Sequence, residues 1–334
     1  PNTAKNPFTR LMVGRGGCDS YDTFASDAWQ SMAGEGAFSG KGIYDVERFA
    51  GRLDGKVLPN TVLSHDLLEG IFAGCGYMGD VALYESFPGR AGSWLTRLHR
   101  WTRGDWQLLP YVFPYLPTQG RAPKAGLDAI AKHKIWQNLL RSLINPARLL
   151  LILCAVALRM PLLLLWALLA AELVPLFPMS MATLGTMATR LLMLPCEAIM
   201  QLDAIVRTLW RLFVSRRHLL QWTTAAQLSK PTATPSMQFF YINMGAGLVL
   251  IGLSVLISPL FPLGIALGGL WTLFLIFLPA WEQPYRQPQY MTDFMREELK
   301  RLASSTWLFF DTVVTEEEHF LPPDNVQIEP NKGV

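Results

Sequence analysis

Apolar and polar positions along the 334 residues change rhythm several times. After Ser64, a suitable N-cap, Leu67, Leu68, Ile71 and Phe72 recur at helical spacing until Gly74 and Gly76 stop the run. Val81-Ala82-Leu83-Tyr84, bounded by Gly79-Asp80 and Pro88-Gly89, reads as a strand. Arg97, Arg100, Trp101 and Gly104 then share one face of another helix. This alternation of strand, loop and helix through 34–110 predicts the second half of an α/β sheet, so 1–120 reads as one soluble domain.

Beyond residue 120 the pattern becomes apolar and helical. The segment 121–148 sets Arg121, Lys124, Lys132, Lys134, Arg141 and Arg148 against Ile130, Ile135, Trp136, Leu139, Leu140 and Leu143. It predicts an interfacial helix over 121–142 on an anionic leaflet. Membrane-like runs follow at 143–158 and 161–178, separated by Arg159-Met160-Pro161, and at 237–257 and 260–281. Each approaches the ~20 residues that cross a bilayer. Pro161 suits the first turn of a new helix, so 143–178 reads as two spans, with a re-entrant hairpin as the alternative. Ile199, Leu202, Val206, Leu209, Trp210 and Phe213 oppose Arg207, Arg211, Arg216 and Arg217, which predicts amphipathic surface helices within 179–236. Met295, Leu299, Leu302, Phe309 and Val313 open a separate soluble unit over 286–334.

Composition supports this division. Only 16% of residues are charged, against roughly 25% in a soluble domain. A net charge of +3, with no basic run interleaved with aromatics, argues against nucleic acid. Basic residues gather at 121–148 and 190–217, while the turns at 159–160 and 258–262 carry only Arg159. The positive-inside rule then places both chain ends in the cytoplasm of a multi-pass protein. Cys18, Cys75, Cys154 and Cys196 lack metal or redox spacing and read as free thiols. The chain starts at Pro1 without an initiator Met or leader, which points to a piece of a longer polypeptide.

Candidate chemistry starts at Asp66. In the first turn of its helix, free N–H groups and the dipole favour a carboxylate, which suits a general base and equally a capping acid. Arg97 and Arg100 offer guanidinium forks to phosphate, and Trp101 offers an indole platform to a sugar. The glycine-rich loop 34–42, including Gly40, can approach a ligand closely but matches neither phosphate-loop nor dinucleotide fingerprint. Asp19, Asp22 and Asp27 do not form an Asp-x-Asp pair, and His65 and His99 have no partners at metal spacing.

Three longer strings carry a resemblance. Gly34-Glu35-Gly36-Ala37-Phe38-Ser39-Gly40-Lys41-Gly42-Ile43-Tyr44-Asp45-Val46, Leu63-Ser64-His65-Asp66-Leu67-Leu68-Glu69-Gly70 and His99-Arg100-Trp101-Thr102-Arg103-Gly104-Asp105-Trp106-Gln107 resemble the cyclic β-1,2-glucan synthases. Ser215-Arg216-Arg217-His218-Leu219-Leu220-Gln221-Trp222-Thr223-Thr224-Ala225 is similar to them too. These are relatives of the cellulose and chitin synthases, whose Gln-x-x-Arg-Trp box reads Arg97-Leu98-His99-Arg100-Trp101 here. The resemblance implies the C-terminal half of a GT-A-like α/β nucleotide-sugar transferase domain, then transmembrane and interfacial helices, then the start of an α/α-toroid domain. It implies inverting, processive transfer of glucose from UDP-glucose to a growing β-1,2-glucan at a bacterial inner membrane. Asp66 would be the base, Arg97, Arg100, Gly40 and Lys41 would border the donor, and Trp101 and Glu35 would contact the acceptor. Mg²⁺ or Mn²⁺ would be held by residues upstream of Pro1, and the remaining domains of the same large polypeptide would be partners. The alternatives are another cellulose-synthase-like polysaccharide synthase and a non-catalytic membrane scaffold.

Overall fold

The computed structural model describes residues 5–13, 30–38, 40, 42–57, 60–63, 66–78, 87–113, 126–169, 181–221, 237–257, 262–283, 292–317 and 319–322. The regular elements among them are α1 (Pro7–Val13), α2 (Val46–Leu53), α3 (Asp66–Ala73), α4 (Ala91–Gln107), α5 (Leu109–Val112), α6 (Ala129–Ala157), α7 (Pro161–Leu169), α8 (Met181–Trp210), α9 (Met237–Ile257), α10 (Pro262–Trp281) and α11 (Asp293–Val313). A π-helical turn, Arg211–Ser215, closes α8. The chain divides into two compact units, Pro1–Tyr285 and Arg286–Val334.

The expected α/β class is wrong for this chain. Among the described residues there is no strand or sheet, and the class is helical. The strand expected at 81–84 lies outside the described residues. The described residues of the glycine-rich stretch, 34–38, 40 and 42, form irregular backbone, with Gly36 at one end of α3 and Gly40 at the other. The remaining apolar runs follow the 3.6-residue period of helices.

The long helices α6 and α8 bury polar side chains among apolar ones and leave large apolar side chains exposed. On α6 the buried face carries Lys134, Asn138, Ser142 and Arg148, while Trp136, Leu140, Ile144 and Leu150 are exposed. Likewise, α8 buries Glu197, Gln201, Ala204, Ile205 and Thr208, whereas Ile199, Leu202, Val206 and Trp210 remain exposed, Val206 at 64%. The predicted stripe on α8 is therefore real but faces outward, and α8 is a central helix rather than a surface one. Polar groups turned into the bundle with apolar groups outside is the arrangement an apolar solvent favours. Among the described residues one helix, α6, is long and apolar enough to cross a membrane; the shorter apolar stretches are Tyr241–Ile257 and Pro262–Phe274. The interfacial helix and first span expected on either side of residue 142 run together in α6.

Pro195 interrupts α8, because proline brings no N–H to the helical ladder. Two side chains repair the gap. Trp271 Nε1 of α10 donates to the Leu191 carbonyl (2.9 Å). Asn243 of α9 donates from Nδ2 to the Leu192 carbonyl (2.8 Å) and accepts the Cys196 N–H at Oδ1 (3.2 Å). Both residues are fully buried. Helix α1 docks on the same unit: Asn6 Nδ2 donates to the carbonyls of Gly89 (2.7 Å) and Glu282 (3.0 Å). Phe8 and Met12 pack with Trp94, Phe274 and Leu278.

In the second unit, Thr292 caps α11 by accepting the Met295 N–H (3.1 Å). The ion pairs Arg296–Asp293, Lys300–Glu297 and Arg301–Glu298 line one side of it, and Phe294, Trp307 and Leu308 are exposed.

Candidate active site

Asp66 is the first residue of α3, and the described residues Gly36, Phe38 and Gly40 follow one another antiparallel over the helix. At one end the Gly36 N–H donates to the Cys75 carbonyl (2.8 Å), just past the end of α3. In the middle, Phe38 crosses Gly70 so closely that a β-carbon on Gly70 would stand 2.7 Å from Phe38 Cβ. At the other end Gly40 lies on the carboxylate of Asp66, where an added β-carbon would be 3.0 Å from Oδ2. With φ at +89°, Gly40 has two reasons to lack a side chain. The loop is anchored to α6 as well, since Lys134 Nζ, 2% exposed, donates to the Gly36 carbonyl (3.0 Å).

The second wall is α4. The Arg97 guanidinium covers the Trp101 ring at 4.4 Å, and Trp94 meets the same indole edge-on at 6.1 Å. Arg97 Nε is buried without a hydrogen-bond partner. The Arg100 guanidinium titrates below the usual arginine range because it is partly buried and stands near Arg97, while the Asp66 carboxylate acts in the opposite direction. The field of Asp66 is thus felt at Arg100. A core of Leu68, Phe72, Leu108, Tyr111, Ala131 and Ile135 joins α3 to the end of α4 and to α6.

Polar side chains fix α4 against its neighbours. Trp94 Nε1 donates to Glu197 Oε1 (2.9 Å), and Asn145 of α6 donates to Glu197 Oε2 (3.1 Å). His99 Nε2 bonds Asp203 Oδ2 (2.9 Å), which also pairs with Arg207 (2.7 Å). Burial holds the His99 imidazole below its ordinary value despite Asp203. Asp203 is pushed up by burial, but its bonds to Arg207 and His99 outweigh this and leave it low. From α6, Asn138 donates to Asp105 Oδ1 (3.1 Å), and Ser142 accepts Trp106 Nε1–H (2.8 Å).

The chain is 35% identical over 357 aligned residues, 97% of its length, to the cyclic beta-(1,2)-glucan synthase NdvB of Rhizobium meliloti (strain 1021). The chain is related to a cyclic β-(1,2)-glucan synthase. It spans 12% of the length of that relative. No protein-family model matches it.

Of the residues singled out from the sequence, Gly40 lies on Asp66, Arg97 covers Trp101, and Arg100 stands within the fields of Arg97 and Asp66. Glu35 is exposed beside Cys75, past the opposite end of α3 from Asp66, about 12 Å away by helix rise. Lys41 lies outside the described residues. Among the described residues no group of three or more His, Cys, Asp or Glu side chains comes together to hold a metal. Sequence reasoning missed Lys134, Arg103 and Gln107. Arg103 donates from Nη1 to the Gln221 carbonyl (2.7 Å) and from Nη2 to the Leu219 carbonyl (2.9 Å). Burial, then the charges of Arg211 and Arg207, lower its guanidinium to about 10. The signal was present: 99–107 and 215–225 both resembled the synthases, and here Arg103 and Gln107 of the first bind Leu219 and Gln221 of the second.

Proposed function

We propose that this chain is part of a membrane-bound glycosyltransferase that builds β-1,2-glucan by inverting, processive transfer from UDP-glucose. The observation that carries this reading is the placement of Gly40 on the Asp66 carboxylate, with Arg100 within its field and the Arg97–Trp101 stack on the same helix. The relationship to a glucan synthase supplies the chemical class.

In this reading Asp66 takes the proton from the acceptor 2-hydroxyl. The hydroxyl oxygen attacks C1 of the donor glucose from the face opposite the leaving group. The bond from C1 to the diphosphate breaks with its electron pair, and Arg100, aided by Arg97, neutralises the charge on the departing UDP. Trp101 supports the acceptor sugar, Gly40 and Lys41 border the donor, and Glu35 is an outer polar contact. A divalent cation, Mg²⁺ or Mn²⁺, would screen the diphosphate; the described residues offer no cluster to hold it, so its ligands would come from the rest of the polypeptide. The helices of 143–178 and 237–281 would cross a bacterial inner membrane an even number of times, leaving the site and both chain ends beside cytosolic UDP-glucose.

The test is Asp66→Asn in the full-length protein. Transfer of radiolabelled glucose should fall by about 10²-fold or more, the contribution of a general base. Near wild-type transfer would remove Asp66 from that role. Arg100→Lys should also slow turnover, because an ammonium cannot reproduce the planar fork.

A further inference from the structure

Gln107 ends α4 and is 2% exposed. Its side-chain amide works in two directions. Oε1 accepts the N–H of Leu63 (2.6 Å), three residues before Asp66. Nε2 donates to the carbonyl of Leu219 (3.0 Å). Gln107 also lies two turns beyond Arg100 on one rigid helix, about 10 Å along its axis. One amide therefore joins the backbone leading into the candidate base, the helix bearing the phosphate-facing arginines and the 216–221 segment.

That segment is held under strain. Arg216 and His218 sit at φ 53° and 58°, left-handed conformations that are strained for a residue with a β-carbon. Bonds from α4 and α8 keep it there: Arg103 holds the Leu219 and Gln221 carbonyls, and Arg211 donates to the His218 carbonyl (2.8 Å) and to Gln221 Oε1 (3.3 Å). Only a group that accepts from one backbone N–H while donating to one backbone carbonyl can close this bridge. Methionine, of similar length, can do neither, and asparagine is one methylene too short to reach both.

We propose that Gln107 is a positioning residue, whose amide sets where Asp66 stands relative to Arg100 and ties that spacing to the 216–221 segment. The proposal rests on the reading of Asp66 as the base. A displacement of about 1 Å between a base and its reacting group can cost about 10²-fold in rate, so loss of the bridge should appear in turnover rather than in donor affinity.

The experiment uses the full-length synthase in membranes, with Gln107→Met, Gln107→Asn and Asp66→Asn measured side by side. Both Gln107 variants should lower kcat for glucosyl transfer by about tenfold or more, with KM for UDP-glucose unchanged. Hydrogen exchange should accelerate in peptides covering 61–66 and 219–221 and stay as in the parent over 243–254. Unchanged kcat in both Gln107 variants, a change confined to KM, or exchange that rises throughout the chain would overturn the proposal. Full turnover in Asp66→Asn would instead remove the base reading. Loss in Asp66→Asn with unchanged turnover in the Gln107 variants removes the role of Gln107 alone.

Discussion

Helices α9 and α10 meet backbone to backbone. A β-carbon on Gly247 would collide with the Gly268 carbonyl and with Thr272 Oγ1, and one on Gly268 would stand 2.7 Å from the Gly247 carbonyl. Helices α4 and α8 meet instead through side chains that exchange hydrogen bonds, Trp94 with Glu197 and His99 with Asp203. Between apolar helices in an apolar solvent there is no hydrophobic gain from association, so close fit has to supply the attraction. Fit of that kind brings two rods together but specifies their register only through the small residues. Hydrogen bonds specify register directly, because a shift of one turn leaves buried donors without acceptors. The chain joins α9 to α10 by fit and holds α4, which carries Arg97, Arg100 and Trp101, by hydrogen bonds.

Gly247→Leu should be the most damaging way to break this contrast. With no room on α10, it should destabilise the detergent-solubilised protein by about 3 kcal/mol, read as a lowered midpoint of thermal unfolding. An unchanged midpoint would show that the glycine contact is dispensable. Glu197→Leu comes next: it leaves Trp94 Nε1 and Asn145 Nδ2 without their shared acceptor and should cost about 1–3 kcal/mol. It should also slow glucosyl transfer in the full-length protein by loosening α4; stability loss without any kinetic effect would uncouple this interface from the site.

The smallest effect should be at His99. Its folded-state value lies below the unfolded one, so between the two the unfolded chain binds more protons and stability rises with pH. Acidification from pH 6.5 downward should therefore weaken the parent, and His99→Gln should flatten that loss in unfolding scans at successive pH values. Asp203 acts in the same sense at lower pH: its folded value also lies below the unfolded one, so its contribution is present above the unfolded carboxylate range and is lost as pH falls through that range towards the folded value. A parent that gains stability over the window just below pH 6.5 would contradict the assignment to His99.

The sequence made some of this plain. The apolar runs of α9 and α10, the start of α3 at Asp66 and the shared face of Arg97, Arg100 and Trp101 follow from periodicity and spacing alone. The α/β class did not survive: among the described residues every regular element is a helix, and the one stretch read as a strand, 81–84, lies outside them. The stripe Ile199, Leu202, Val206 and Trp210 was equally visible, but periodicity shows that a helix has two faces without showing which one meets its neighbours. On α8 the buried face mixes Glu197, Gln201 and Thr208 with Met193, Leu194 and Ile205, so hydrophobicity alone does not mark it. The bridge at Gln107 was beyond reach for another reason. Its two ends lie 44 and 112 residues away along the chain, and no local pattern links positions so far apart.

The gap at Pro195 gives α8 a joint. Residues 181–194 and 196–210 are two levers whose relative angle is set by Asn243 and Trp271, contributed by helices that carry no chemistry of their own. The second stretch grips α4 by Glu197 and Asp203, so the bonds that replace the missing ladder at Pro195 also connect α9 and α10 to α4. The helix that carries Arg97 and Arg100 is in this way tied, through α8, to the apolar pair α9 and α10.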